Sequence, residues 1–183
     1  MLYIALLHYP VYNKEGRIVT TAIANMDIHD IARCGRTYYV KGFYIVNPHE
    51  AQRSLAEKII SHWREGYGAS FNPLRQEAFG RIRLAASLEE VRTDLEKAHT
   101  HSTATVVTRA GFSGPCLTCR QMRERLERND LPYLLIFGTG SGIAREVVNQ
   151  ADYRLEPIRG AGGYNHLAVR SAVAVILDRI AGI

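Results

Sequence analysis

The chain has few cysteines, a single tryptophan and no apolar run that could cross a bilayer. A membrane helix needs about 20 consecutive apolar residues, and no segment of the 183 residues approaches that length. The cysteines Cys34, Cys116 and Cys119 are odd in number and too few for a disulfide framework. The apolar start MLYIALLHYPVY lacks a basic region and a cleavage site, which favours a first strand over a signal peptide. These absences predict a cytoplasmic protein with no membrane partner.

The composition is that of a folded globular protein. Apolar residues make up 46% of the chain and charged residues 22%, which argues against disorder, collagen and coiled coil. The length fits a single domain over residues 1–183. The 23 lysines and arginines exceed the 18 acidic residues, and this excess favours a polyanionic partner without identifying one.

Strand-like runs alternate with amphipathic segments along the chain. Consecutive apolar positions, as in YLLIF at 133–137, are typical of strands that are covered on both faces. Alternation of this kind predicts an α/β fold, a mainly parallel sheet with helices on both faces. The predicted strands are 2–11, 42–46, 82–86, 103–110, 133–142 and 152–158; the predicted helices are 20–38, 50–66, 87–99, 117–130, 143–151 and 166–182, with loops at 66–75 and 159–165. Ser87 and Glu90 form a capping-box pattern at one helix start.

Two glycine-rich loops follow late strands. The first, FGTGSG at 137–142, has neither the spacing of a dinucleotide fingerprint nor the lysine of a phosphate-binding loop. Glycines there would let a ligand approach the backbone, although a plain strand-to-helix turn is an equal alternative. The second, RGAGGYN at 159–165, also lies between a strand and a helix. Because ligands of α/β sheets bind at the carboxyl ends of strands, the two loops together favour a small-molecule site.

Three weaker patterns each have a plain structural alternative. The pattern Asp27-x-His29-x-x-x-Arg33 places His29 and Arg33 on one helical face, which is most simply a charged face in water. Cys116-x-x-Cys119 is half of a zinc or redox motif, and without a second pair we predict no metal site. The arginines of the segment 120–128 suit phosphates, or ion pairs with neighbouring glutamates.

The motifs HYPVYNKEG, DIHDIAR, HWREGYG and FGTGSG…PIRG…YNHLAVRSAVAVILDR together resemble a known superfamily. The chain is similar over its whole length to the SPOUT superfamily of S-adenosylmethionine-dependent RNA methyltransferases, and within it to a small bacterial family of predicted RNA methyltransferases. The resemblance implies a deep trefoil knot in the carboxyl-terminal part of the sheet. It also implies a homodimer whose site lies near the subunit interface, with a bent S-adenosylmethionine among three loops.

The resemblance also implies roles for particular residues. A 2′-O-ribose branch of the superfamily carries Asn-x-Gly-x-x-x-Arg in its first helix, where this chain has Asp27, His29 and Arg33. Arg33 would hold an RNA phosphate or aid proton removal, and Asn165 and Ser171 would lie near the methyl group or the target. The implied cofactor-binding residues are Thr108, Phe137, Gly138, Thr139, Gly140, Gly142, Ile158, Gly160, Asn165, His166 and Leu167.

The expected function is therefore methyl transfer from S-adenosylmethionine to a nucleotide of tRNA or rRNA, at a ribose 2′-oxygen or a base nitrogen. Two alternatives remain at this point. One is a non-catalytic knotted protein that only binds RNA. The other is a nucleotide-binding α/β oxidoreductase that uses the glycine loop at 137–142, against which the missing acidic ribose partner counts.

Overall fold

A computed structural model describes residues 1–128, 130–162 and 164–183 of the chain. Its strands are β1 (Leu2–Leu7), β2 (Val11–Tyr12), β3 (Ile18–Val19), β4 (Gly42–Val46), β5 (Ile82–Ala85), β6 (Ala104–Val107), β7 (Tyr133–Gly138) and β8 (Tyr153–Arg154). The helices are α1 (Asn25–Thr37), α2 (Glu50–Arg64), α3 (Tyr67–Phe71), α4 (Pro73–Phe79), α5 (Leu88–Ala98), α6 (Cys119–Arg128), α7 (Arg145–Gln150) and α8 (Val169–Ala181).

The main sheet has the strand order β5-β4-β1-β7-β6-β8, and every neighbouring pair in it is parallel. The predicted α/β architecture with a mainly parallel sheet is therefore confirmed. β2 and β3 form a separate antiparallel hairpin. Among the described residues no helix is long and apolar enough to span a membrane.

Helices cover both faces of the sheet, as the apolar strands require. One face packs against α1, α2, α4, α6 and α8, with Ile4 and Leu135 among its buried strand residues. The opposite face packs against α5 and α7 through the alternate strand residues, such as Ala5 and Leu134. Because successive side chains of a strand point to opposite faces, a strand between two helical layers must be apolar at every position.

The predicted loop at 66–75 is wrong, since α3 and α4 occupy most of it. Asn72 accepts a hydrogen bond from the Arg75 amide at 3.0 Å, and Pro73 is the first residue of α4. Proline is well suited to that position because the amide it lacks has no partner in the first turn. Gly66 and Pro73 therefore mark the starts of two short helices rather than a continuous loop.

The other differences concern where elements begin and end. The strand predicted to reach residue 142 ends at Gly138, and the last helix begins at Val169, which leaves His166 and Leu167 in the preceding loop. The strand predicted over 152–158 is reduced to two residues. Asn129, within the predicted helix 117–130, and Gly163, within the predicted glycine loop, lie outside the described residues.

β8 is enclosed on both sides by earlier parts of the chain. On one side the Leu155 amide donates to the Val107 carbonyl at 3.0 Å. On the other side the Leu117 amide donates to the Arg154 carbonyl at 2.8 Å, and Leu117 accepts from the Glu156 amide at 2.8 Å. The segment between residues 108 and 116 therefore leaves β6 on one side of β8 and returns on the other.

Candidate functional site

A cavity of about 930 Å³ lies at the carboxyl ends of the central strands. From β1 the chain continues to β4 and β5, which lie on one side of β1 in the sheet. The later strands β6, β7 and β8 lie on its other side. Ligands of open α/β sheets bind where the strand order diverges in this way. The volume lies within the range of small-molecule sites.

Most of the residues that the sequence nominates for cofactor binding line this cavity, and Gly160 is the exception. The lining members are Thr108, Phe137, Gly138, Thr139, Gly140, Gly142, Ile158, Asn165, His166 and Leu167. They come from three loops, after β6, after β7 and before α8. Asn165 links the first and third of these loops, because its Nδ2 donates to the Ala110 carbonyl at 3.3 Å.

The loop after β7 is fixed by contacts within the protein. Gly140 has a φ of 60°, and a β-carbon there would lie 2.7 Å from the Tyr12 carbonyl oxygen. A β-carbon at Gly138 would overlap the Ile143 side chain. Hydrogen bonds from Ser141 to Tyr12 and from Tyr12 to Gly142 bind this loop to the β2–β3 hairpin. These two glycines are therefore needed for internal packing, independently of any ligand approaching the backbone.

Asp27 and Arg170 form an ion pair in the cavity wall. The Arg170 Nη1 lies 3.3 Å from the Asp27 Oδ1, and Asp27 is only 7% exposed. Burial raises the pKa of the Asp27 carboxyl, and Arg170 opposes this effect. Arg170 also approaches Asp30 at 3.5 Å. A buried carboxyl with a raised pKa at a cavity is a candidate proton acceptor.

Arg33 and Ser171 lie outside the main cavity. Both are exposed and line a shallower groove of about 480 Å³. Arg170 lines the groove and the cavity alike, so its guanidinium joins the two. Of the three residues nominated as catalytic, Asn165 lines the cavity while Arg33 and Ser171 line the adjoining groove.

His29 lies four residues before Arg33 on α1, and it contacts aromatic side chains of the neighbouring helices. Its ring packs against Trp63 at 5.3 Å and against Phe79 at 4.8 Å between centroids. Burial lowers the pKa of His29. His29 therefore packs among aromatic residues of α2 and α4, and only Asp27 and Arg33 of the pattern line the cavity and groove.

A buried chain of polar side chains links β1 to the loop after β7. His8 is 1% exposed, and its Nδ1 lies 2.9 Å from the Thr21 hydroxyl. The Thr21 hydroxyl lies 2.5 Å from that of Thr139, which donates to the Leu7 carbonyl at 3.0 Å. Burial lowers the pKa of His8 to about 4, so the ring is neutral near pH 7. His8 also belongs to the cavity wall.

The arginine-rich helix α6 mainly makes contacts within the protein. Arg123 donates to the Arg179 carbonyl at 2.8 Å, at the end of α8. Arg125 lies over the Tyr153 ring at 4.7 Å, and Arg120 pairs with Glu124 at 3.2 Å. These contacts favour the alternative in which the arginines of this segment pair within the protein over one in which they bind phosphates.

The Cys116-x-x-Cys119 pair consists of free thiols. Burial, with a contribution from Glu156, raises the pKa of the Cys119 thiol to about 11, and a thiol with so high a pKa is a poor nucleophile. Among the described residues, no group of three or more histidine, cysteine or acidic side chains is placed to hold a metal ion.

Sequence reasoning missed His8, Thr21 and Arg170, and mentioned Asp27 only within a pattern. Thr21 and His8 are 13 residues apart, and Arg170 is 143 residues from Asp27. No local spacing could have connected them. In the structure β1 ends at Leu7, so His8 lies directly after the strand, where ligand-binding side chains are often found. The strand predicted over 2–11 concealed this position.

A parallel sheet with a cavity formed by three loops at its carboxyl edge is the architecture of the SPOUT class of methyltransferases. The SpoU methyltransferase AviRb from Streptomyces viridochromogenes, solved in complex with AdoMet, has this fold. It superposes with a TM-score of 0.61 at 16% identity over 99% of this chain and 56% of that chain.

The chain belongs to the family described as SAM-dependent RNA methyltransferase, whose model matches residues 1–182. It is 43% identical to an uncharacterised protein of Aquifex aeolicus strain VF5, over 98% of this chain and 87% of that protein. It is 42% identical to a tRNA (guanine-N(1)-)-methyltransferase of Oleidesulfovibrio alaskensis, over 99% of this chain. The match covers 42% of that second protein, so the chain spans less than half of its length.

Family membership makes the chain a methyltransferase that uses S-adenosylmethionine. The predicted family, enzyme class and cofactor are thereby confirmed. The oxidoreductase and non-catalytic alternatives are not retained.

Proposed function

We propose that the chain transfers a methyl group from S-adenosylmethionine, bound in the 930 Å³ cavity, to a tRNA or rRNA nucleotide that enters from the Arg33–Ser171 groove. The observation that carries this proposal is the position of Arg170, which lines both spaces. A methyl donor and its acceptor have to meet within bonding distance, so their sites must adjoin.

The three loops around the cavity would hold the cofactor. Their backbone groups, with the Asn165 side chain, suit the polar edges of an adenosine, whereas the Thr108 hydroxyl already donates to the Ile136 carbonyl at 3.0 Å. Gly160 would act by shaping the third loop, since it does not line the cavity. The cofactor supplies an electrophilic methyl group.

Positive side chains near the cavity suit an RNA backbone. Lys14, Arg109 and Arg170 line the cavity, and Arg33 lines the adjoining groove. Phosphate contacts of this kind position a nucleic acid without reading its sequence. Arg33 and Ser171 would orient the nucleotide at the groove.

Asp27 is the proposed proton acceptor. A ribose hydroxyl or a protonated base nitrogen must lose its proton when it bonds to carbon, and a carboxylate at the site can take it. Its ion pair with Arg170 would keep the carboxyl oriented toward the place where the two spaces meet. This role replaces the proton-removal function that the sequence suggested for Arg33.

The threading of β8 supports the proposed trefoil knot. The segment 108–116 encloses β8 between β6 and Leu117, and the chain then continues to the third cofactor loop and α8.

We further propose that residues 1–183 act as one methyltransferase domain, in a homodimer and in the cytoplasm. The free thiols of Cys34, Cys116 and Cys119 suit that reducing compartment.

A blocking substitution tests whether the cavity holds the cofactor. Gly111 lines the cavity, and a β-carbon there meets nothing within 4 Å, so Gly111→Val should fold while filling ligand space. We expect calorimetry to show micromolar S-adenosylmethionine binding by the wild type, and at least about tenfold weaker binding by the variant.

Gly162→Val is the matched control, because Gly162 is equally open and does not line the cavity. It should bind as the wild type does. An absence of binding by the wild type, or equal binding by Gly111→Val, would contradict the proposed cofactor site.

A further inference from the structure

His8 is buried in the cavity wall with one ring nitrogen unsatisfied. Among the residues that the structure describes, its Nε2 has no hydrogen-bond partner, although the residue is 1% exposed. An unsatisfied buried polar atom costs about 1–3 kcal/mol, so such atoms are rare unless another molecule satisfies them.

The neighbouring hydroxyls determine which ring nitrogen carries the proton. Thr139 donates its hydroxyl proton to the Leu7 carbonyl, so its oxygen must accept from Thr21. Thr21 has then used its own proton, and its oxygen must accept from the Nδ1 of His8. Because a neutral imidazole carries one proton, Nε2 is left as a bare acceptor.

The ring remains an acceptor throughout the neutral pH range. Burial lowers the pKa of His8 to about 4. No acidic or basic side chain contributes to that shift, since burial is its sole cause. The group that completes this site must therefore be a hydrogen-bond donor.

The hydrogen-bond chain also shows which of the three loops around the cavity lies beside His8. Thr139, its third member, belongs to the loop after β7 and lines the cavity with His8. Leu7 and Gly138 are paired across β1 and β7, which places the residues that follow them side by side. His8 thus lies beside the loop proposed to hold the cofactor.

We infer that His8 Nε2 is a recognition site for the adenosine part of the cofactor, accepting a hydrogen bond from a ribose hydroxyl or the adenine amino group. This inference rests on the proposed cofactor site. It adds a side-chain acceptor, from the residue directly after β1, to the three loops proposed to hold the cofactor. His8 would act as a binding residue and take no part in the transfer itself.

Two substitutions separate the acceptor from the rest of the ring. His8→Asn keeps a donor near the Nδ1 position for Thr21 and removes the acceptor at Nε2. His8→Gln places an amide oxygen near the Nε2 position. We expect His8→Asn to bind S-adenosylmethionine about tenfold more weakly than wild type, and His8→Gln to recover part of that loss.

The ligand 5′-methylthioadenosine shares the adenosine of S-adenosylmethionine but lacks its amino-acid part. Its binding therefore tests whether the hydrogen-bond donor to His8 belongs to the adenosine. The same fold-loss for both ligands is expected. The inference would be overturned if folded His8→Asn bound S-adenosylmethionine as tightly as the wild type does. Binding by the wild type would still support the proposed cofactor site in that case. A loss seen with S-adenosylmethionine alone would also overturn it.

Nitrogen-15 NMR of the apo wild type tests the tautomer without any ligand or variant. A proton on Nδ1 and a bare Nε2 are expected, and the Nε2 resonance should shift when S-adenosylmethionine is added. A proton on Nε2 would overturn the inference even if the cavity binds the cofactor.

Discussion

At the residue scale, the site depends on polar groups that the fold buries at some cost. Folding raises the pKa of Asp27 because burial disfavours its charge more than Arg170 favours it. A carboxyl whose pKa is raised on folding adds stability only while it is protonated, below about pH 4. That contribution is lost as the pH rises through the folded pKa, so at neutral pH the ionised Asp27 lowers stability.

Asp27→Asn should therefore separate stability from activity. We expect a higher free energy of unfolding than wild type at pH 7, with the difference shrinking near pH 3, where the wild-type carboxyl is protonated. Methyl transfer should fall about 100-fold with cofactor affinity unchanged, because the proposed proton acceptor is removed. Urea denaturation at both pH values and a labelled-methyl assay measure these effects.

Asp30→Asn is the matched control for Asp27. Asp30 is more exposed and also approaches Arg170, at 3.5 Å, but it lines the groove and not the cavity. It should retain most of the activity. Full turnover by Asp27→Asn would eliminate the proposed proton acceptor.

At the scale of elements, the sequence predicts those helices and caps that depend on interactions between residues close together in the chain. The helix predicted over 50–66 is α2, and Ser87 caps α5 by accepting from the Glu90 amide at 3.1 Å, as its motif indicates. The Glu90 carboxylate instead accepts from Ala86, so the reciprocal half of the capping box is displaced by one residue. Interactions beyond one turn, such as the Asp27–Arg170 pair, left no such signal.

The glycines of the loop after β7 show the same limit. From sequence, their positions indicated room for a ligand. In the structure, a side chain at Gly138 would collide with Ile143, and one at Gly140 would collide with Tyr12. A bulky residue at Gly140 would therefore disturb the loop itself. Loss of binding in such a variant would not show whether the new side chain fills the cavity or distorts the loop.

Gly138→Ala and Gly160→Ala should behave differently for this reason. The added carbon at Gly138 overlaps Ile143, whereas at Gly160 the nearest atom is 3.7 Å away. We expect Gly138→Ala to lower the free energy of unfolding by about 1–3 kcal/mol, as overpacked positions do, and Gly160→Ala to change it by less than about 0.5 kcal/mol. Chemical denaturation checks both, and equal effects would mean that the loop relaxes freely around Ile143.

At the scale of the whole molecule, the parallel sheet could be predicted from the hydrophobic pattern, whereas the proposed knot could not. Apolar strands alternating with amphipathic helices are enough to indicate a covered parallel sheet. Threading is a property of connections, which no periodicity records, and knots are rare enough that general rules argue against them. Only the resemblance of the carboxyl-terminal motifs to the SPOUT superfamily suggested it.

The proposed dimer requires exposed apolar surface outside the core. Val173 and Ile176 of α8 are buried within the chain and so give no evidence of a partner. Leu167, at the edge of the cavity, is 49% exposed. A partner that packs near the cavity would cover it.

Sedimentation should give about 41 kDa, twice the chain mass of 20.5 kDa. Leu167→Glu should shift the protein toward the monomer, since a charge there would be buried by the partner. Leu74→Glu, at a 79% exposed residue of α4, should leave the mass unchanged. A wild-type mass of 20.5 kDa would contradict the proposed dimer.

The enclosure of β8 also imposes an order on the assembly of the protein. Both of its neighbours, Val107 and Leu117, precede it in the chain, so a ribosome releases them before residues 153–156 exist. The space between them has to stay open until those residues arrive, or reopen to admit them. Insertion of this segment is consequently a late step of folding, and slow closure of long-range contacts is what limits such steps. A ligand that binds the loops around the crossing would hold the inserted segment in place, so the saturated enzyme should unfold more slowly than the free one.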